Sequence, residues 1–457
     1  MNNAGKMGRI FAGVMTHLDF PWVLSSDVRP TREFFTNPGP SDLRIRNAAY
    51  LATDDPPWHR TKPVSPPETS RSSARALATA HNIAALRSLA RRRLPRAIFD
   101  YVDGGAEDET AVARNRTAFA RYSLLPRVLV DVGRVDLSTT VLGEPVAFPV
   151  LLAPCGLLRL VHPEGDVAAA RAAHAAGTLH ILSTMSATSM EELARKAAGR
   201  LWYQIYVWRD RKILEGFLER ARAAGYGALC LSVDSPVVGQ RERDLRHGMG
   251  DPPRVRLRTA LDACLHPRWL AGFLRGGPVG LPNVLPGVRA SLGELGRIAK
   301  REYDPTVTWR DLEWMVARWK GPFVVKGILR ADDAVRAVEC GARAIVVSNH
   351  GGRQLDHAAA TLEVLPEIVD AVGKRAEVYL DGGIRRGTDV VKALALGARA
   401  CLVGRAYVYG LAAGGEAGVR RALEILRSET ERALALLGCP SVGALDRSFL
   451  REERGSS

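Results

Sequence analysis

Residues 323–352 read FVVKGILRADDAVRAVECGARAIVVSNHGG. A continuous apolar run from Phe323 gives way to DDAVRAVECG, a stretch of helical periodicity that stops at Gly341 as a helix C-cap should. A second run, AIVVSN, begins at Ala344. Strands apolar on both faces, separated by an amphipathic helix, predict parallel neighbours in a sheet covered by helices. The same unit recurs on either side. Upstream lie AFPVLLAPC from Ala147, TLHILST from Thr178, LWYQIYV from Leu201 and ALCLSVD from Ala228; downstream lie EVYLDG from Glu377 and ACLVGR from Ala400. DVAAARAAHAAG and SMEELARKAAG supply further helices that end in glycine. Eight such units predict an α/β chain closed as a (β/α)8 barrel rather than an open sheet. No G-x-G-x-x-G follows the first run, which speaks against a nicotinamide-binding domain.

Two regions break the rhythm. Strand four ends near Asp234 and the next helical pattern starts only at Thr308, so 251–307 is expected to be an inserted lid or membrane-contact segment. Residues 1–75 lack sustained periodicity and run into DDPPWHRTKPVSPPETSRSS, a Pro/Ser-rich stretch expected to be a poorly ordered extension and linker. The catalytic domain is therefore expected over 76–457.

Of the 457 residues, 46% are hydrophobic and 25% charged, the balance of a globular chain with a sizeable core. No uninterrupted apolar run is long enough to span a bilayer. MNNAGKMGRIFAGVMTHLDF lacks the marks of a secretory leader, so a cytoplasmic location is expected. The six cysteines are scattered without a C-x-x-C pair and read as free thiols. The histidines show no metal-ligand spacing. A net charge of +15 permits anionic partners, but no basic patch interleaved with aromatics points to nucleic acid.

Chemistry in such a barrel sits at the C-terminal ends of the strands. Those ends are polar here: Ser183; Gln204 and Tyr206; Ser232 and Asp234; Lys326; Ser348, Asn349 and His350; Asp381-Gly382-Gly383; Gly404-Arg405. Glycines that admit close backbone approach, together with Arg385 and Arg405, predict a phosphate site for a mononucleotide or a phosphorylated substrate. Lys326 at a strand end is suited to forming a Schiff base or to stabilising a developing anion. His350 is the best available general base, Asp234 could orient its ring, and Arg353 could fork a carboxylate beside it. Arg241 could supply a second cation. A phosphate-binding isomerase or aldolase using Lys326 is the competing reading, but it has no need of His350 and Arg353 together.

The motifs YVDGGAEDE, APCGLLRLVHPEGD, YQIYV, LSVDSPVVGQRERD, VVKGI, SNHGGRQLD, DGGIRRGTDVVKALALGARACLVGR and GEAGV occur in this order between Leu94 and Val419. They closely resemble the FMN-dependent 2-hydroxy-acid oxidases and dehydrogenases, which act on lactate, mandelate or glycolate, and the likeness extends to Cys439. The resemblance implies FMN as cofactor and His350 as base, with Asp234 stabilising its imidazolium. Arg353 and Arg241, helped by Tyr101, would grip the substrate carboxylate, and Tyr206 would meet its hydroxyl. Lys326 would lie near flavin N1 and O2. Gln204, Ser183, Ser232 and the backbone of Pro154, Cys155 and Gly156 would contact the ring. Asp381, Arg385, Gly404 and Arg405 would hold the phosphate, with Ser348, Gly382 and Gly383 also at the cofactor. Met185, Gly156, GQRERDL and LHPRWL resemble the lactate dehydrogenase-like, membrane-associated branch. That likeness implies electron transfer to quinone or another carrier, the alternative being an oxidase that uses O2 and yields H2O2. It further implies a homotetramer, peripheral on the inner face of a membrane. Residues 254–275, RVRLRTALDACLHPRWLAGFLR, are expected to form one short helix with its apolar groups on a single side and arginines around them, lying in an anionic membrane interface. A lid packed on the barrel mouth is the alternative.

Overall fold

The computed structural model describes residues 71–247, 257–277, 279–284 and 303–453, so residues 1–70 of the expected extension lie outside the described residues. Eight parallel strands close into a barrel: β1 (Val150–Leu152), β2 (His180–Ser183), β3 (Leu201–Ile205), β4 (Ala228–Ser232), β5 (Phe323–Ile328), β6 (Ala344–Val347), β7 (Glu377–Asp381) and β8 (Ala400–Val403), with β8 pairing back onto β1. This is the predicted (β/α)8 architecture.

The continuous apolar runs follow from burial on both sides of each strand. Leu151, Ile181, Trp202, Cys230, Val324, Val346, Tyr379 and Leu402, one from each strand, fill the barrel interior. Neighbours along the strands, such as Phe323 and Val325, pack outward against the helices. Each fully buried side chain of this size contributes about 1.5–3 kcal/mol. A two-stranded ribbon, Thr139–Val141 with Glu144–Val146, sends Val141 and Val146 into the same interior cluster. Alternation then positions the chemistry. Val324 faces inward, so Lys326, two residues on, faces inward at the mouth. Ser232 pairs in register with Lys326, and Ser183 with Gln204, so these polar tips stand side by side.

Beyond β4 the chain reaches its next barrel helix only at Trp309, with Thr308 as N-cap, as its sequence predicts. The single helix expected over 254–275 is instead two, Leu257–Cys264 and Pro267–Arg275, while residues 254–256 lie outside the described residues. Pro267 cannot continue a preceding helix but suits the first turn of a new one. The break divides the apolar residues. Trp269 donates from Nε1 to Leu160 O at 2.8 Å and stacks on Phe273, and both pack against the main core. Leu257, Leu261 and Leu265 remain 69%, 50% and 78% exposed.

Candidate active site

His350 stands just beyond β6 with φ of 58°, a left-handed conformation that a non-glycine residue adopts at a cost of about 1–2 kcal/mol. Neighbouring contacts hold it there. Its backbone N–H donates to Ser348 Oγ at 3.1 Å, and the preceding Asn349 exchanges two amide hydrogen bonds with Asn115, at 2.8 and 2.9 Å. Asp356 accepts from Thr110 N and Ala111 N at 3.2 and 2.7 Å, capping the helix Thr110–Thr117 that carries Asn115. The sequence reading missed both Asn115 and the capping role of Asp356. Asn115 lies 234 positions from its partner, and nothing local marks it.

The imidazole is oriented as expected. Nδ1 lies 3.0 Å from Asp234 Oδ1, and Nε2 lies 3.4 Å from the Tyr206 hydroxyl. Burial alone would raise the Asp234 carboxyl, but His350 and Lys326 outweigh it and hold the group below its ordinary range. A persistent anion therefore faces the ring nitrogen that does not face Tyr206.

Arg353 is fixed by donating from Nη1 to Tyr101 O at 2.7 Å and Gly104 O at 3.0 Å, with its guanidinium 5.2 Å from the Tyr101 ring centre. Burial, and then the like charges of Arg241 and Arg405, bring it down to about 10. Among the described residues the carboxylate paired with Arg241 is that of Asp244, at 3.9 Å, whose own pKa burial raises despite both arginines. Two partly buried guanidiniums so weakly compensated form a site for an added carboxylate. Asp244 and Tyr303 also escaped the sequence reading. The Tyr303 ring lies 5.0 Å from that of Tyr206.

On the other side of His350, Lys326 Nζ lies 2.8 Å from both Asp381 Oδ2 and Ser348 Oγ, and Ser348 in turn donates to Asp381 Oδ2 at 2.9 Å. Burial would lower the lysine, but Asp381 and Asp234 raise it above its ordinary value. It stays a cation, which disfavours the Schiff-base alternative because that chemistry needs a free amine. Asp381, expected at the cofactor, pairs here with Lys326 and Ser348 through Oδ2. Ser183 Oγ donates to Gln204 Oε1 at 3.0 Å, while Gln204 Nε2 is buried with no partner among the described residues. Pro154, Cys155 and Gly156 form the turn after β1. A Cβ on Gly156 would sit 3.0 Å from that of Met185, and burial pushes the Cys155 thiol up to about 11, leaving it neutral.

Arg385 is partly buried, donates from Nη1 to Ile384 O at 2.7 Å, and is lowered by burial with Arg405 nearby. The Arg405 side chain is differently employed, bonding the carbonyls of Val102, Gly351 and Gly104 at 3.2, 2.8 and 2.7 Å. Three of its donors are thus already used. Its remaining value to a phosphate is its charge and its place at the start of the helix after Gly404, where free N–H groups favour anions. Gly382 and Gly383 both have positive φ, and a Cβ on Gly383 would fall 2.0 Å from Asn115 O. An unpartnered buried amide, a buried cation and a single phosphate cradle on one mouth fit a flavin mononucleotide.

Comparison with known proteins agrees. Residues 90–452 match the model of a family described as FMN-dependent dehydrogenase. An L-lactate oxidase from Nostoc sp. is 46% identical over 82% of this chain and 99% of its own length. The (S)-mandelate dehydrogenase of Pseudomonas putida is 44% identical over 81% of this chain and 94% of its own length. A crystal structure described as the monotopic membrane protein (S)-mandelate dehydrogenase superposes with a TM-score of 0.79 at 43% identity, covering 82% of this chain and all of that one. Because these matches run through the whole barrel and the residues at its mouth suit the cofactor, the chain belongs to the FMN-dependent dehydrogenase family, and FMN is its cofactor.

Proposed function

We propose that this protein oxidises an L-2-hydroxy acid, lactate- or mandelate-like, to the 2-oxo acid. The observation that carries the reading is a base already paired with its carboxylate, His350 with Asp234, beside the under-compensated guanidiniums of Arg353 and Arg241. The guanidiniums receive the substrate carboxylate. The 2-hydroxyl then falls to Tyr206 and His350, and His350 Nε2 receives a substrate proton while Asp234 balances the resulting imidazolium. Bound FMN supplies the two-electron sink for the C2 centre. Gln204 and Lys326 would hold its ring, and Arg385 with the helix start at Arg405 its phosphate. Anaerobic addition of L-lactate or (S)-mandelate should bleach the flavin absorbance and yield the 2-oxo acid. An unchanged spectrum with both, and with other short L-2-hydroxy acids, would defeat the proposal.

The electron acceptor is proposed to be quinone, reached from the inner face of an anionic membrane, rather than O2. The exposed Leu257, Leu261 and Leu265 support this, since they recur every four residues on a segment rich in arginine. Among the described residues no helix is long and apolar enough to cross a membrane, so attachment would be peripheral. Anionic liposomes should pellet the protein at low salt, and Leu261→Asp with Leu265→Asp should abolish pelleting while soluble-dye reduction continues. Equal pelleting of both proteins would place the lipid contact elsewhere, and H2O2 formation at the rate of flavin turnover would favour the oxidase reading. The same proposal takes the protein as a cytoplasmic homotetramer, and Val128 and Leu129, at 81% and 103% exposure, support contact with another copy.

A further inference from the structure

Tyr303 lies near the end of the inserted segment, yet it is buried at the barrel mouth. Its backbone bridges to Trp208, and the next residue, Asp304, donates its N–H to Val207 O at 3.1 Å. Asp304 is in turn fixed by Arg211 at 2.7 Å and by the N–H and hydroxyl of Thr306 at 2.9 and 2.6 Å. The ring is fixed as firmly. It lies 5.0 Å from Tyr206 at an interplanar angle of 30°, and 5.5 Å from Trp208, edge to face at 89°. Its phenol feels Tyr206, Arg241 and Tyr101, three groups already assigned to the substrate. Its hydroxyl bonds to none of the described residues and is not sealed off within the core, so it is open to a ligand at the mouth.

Arg353 and Arg241, with Tyr101, account for the substrate's carboxylate, and His350 with Tyr206 accounts for its 2-hydroxyl. The C2 substituent is the one part of the substrate still without a polar partner, and the Tyr303 hydroxyl is a pocket donor still without an acceptor. The geometry points to Tyr303 as a substrate-contacting specificity residue that donates a hydrogen bond to an oxygen on the C2 substituent. The favoured substrates are then short 2-hydroxy acids with an oxygen at C3, of the 2,3-dihydroxy type. This assignment rests on the 2-hydroxy-acid reading above.

The test uses the holoenzyme and two L-acids of nearly equal size, 2,3-dihydroxypropanoate and 2-hydroxybutanoate, which differ by a hydroxyl in place of a methyl. kcat/KM for each is read from dye-coupled turnover, with anaerobic flavin bleaching alongside. The wild type should favour the dihydroxy acid by about tenfold or more, because a site built to bond a hydroxyl discriminates against the analogue that lacks it. Tyr303→Phe should bring the ratio close to one, acting mainly through KM of the dihydroxy acid. An unchanged ratio in Tyr303→Phe, or a wild type that prefers the methyl compound, overturns the assignment while leaving the parent reading intact. A ratio moved by Tyr303→Leu but not by Tyr303→Phe would also overturn it, since the ring alone would then be what matters. A wild-type flavin bleached by no 2-hydroxy acid overturns both.

Discussion

Replacing Asp234 by Asn keeps the side chain's size and leaves an oxygen to accept from His350 Nδ1, so the ring should stay oriented while the counter-charge disappears. Its carboxylate oxygen lies 3.0 Å from Nδ1. Two unit charges with centres roughly 4 Å apart in a medium of effective dielectric about 20 attract by about 4 kcal/mol. The His350 side chain is 23% exposed, so solvent screens part of this. A net loss of about 3–4 kcal/mol at the stage where the imidazolium forms corresponds to a rate lower by roughly two to three powers of ten. Anaerobic stopped-flow reduction of the bound flavin by the best substrate reads this directly. Substrate binding should change by no more than about threefold, because the carboxylate clamp is made by other side chains. If Asp234→Asn reduces its flavin within about fivefold of the wild type, the charge pairing is not what stabilises the protonated base.

Two further expectations concern the cofactor and the fold. Arg385→Gln should retain FMN poorly, seen as flavin in the filtrate after ultrafiltration, since it removes a partly buried cation whose side chain has no carboxylate partner among the described residues; undiminished retention would place the phosphate elsewhere. Asp103 titrates at about 2 because the hydrogen bonds from Arg87 and Tyr409 and the charge of Arg243 outweigh the burial that would raise it. A depressed carboxyl stabilises the fold fully above its unfolded pKa and loses that contribution as pH falls through the folded value, here about 2 kcal/mol between roughly pH 4 and 2. Asp103→Asn should therefore melt earlier at neutral pH and show a flatter dependence of Tm on pH across that acid window; an unaltered slope would contradict the coupling.

The barrel was legible because its strands are buried on both faces, which leaves unbroken runs such as FVVKGI and AIVVSN with little ambiguity of period. The meeting of His350 with Asp234 was legible because strand ends have only one mouth to face. Pairings across long sequence separations were not. Nothing local announces that Asn115 locks Asn349, or that Asp356 caps the helix bearing Asn115. The pairing of Asp381 on β7 with Lys326 on β5 was likewise hidden, because its Asp-Gly-Gly context points only to a turn. Arg405 was read as a phosphate fork, and only the fold shows three carbonyls already occupying it. Periodicity joined 254–275 into one helix, although Pro267 carried the signal that should have split it.

The left-handed backbone at His350 has a bearing on how the protein would age. A residue held where its own φ is unfavourable gains by relaxing once its restraints loosen, and those restraints are few: the Asn115–Asn349 amide exchange, the Ser348 hydroxyl and the helix capped by Asp356. On storage or gentle warming the base should drift out of position while the barrel, with its filled interior, is still folded. Shelf life would then be governed by one loop rather than by the melting of the domain. Tightening that loop would prolong activity without raising Tm.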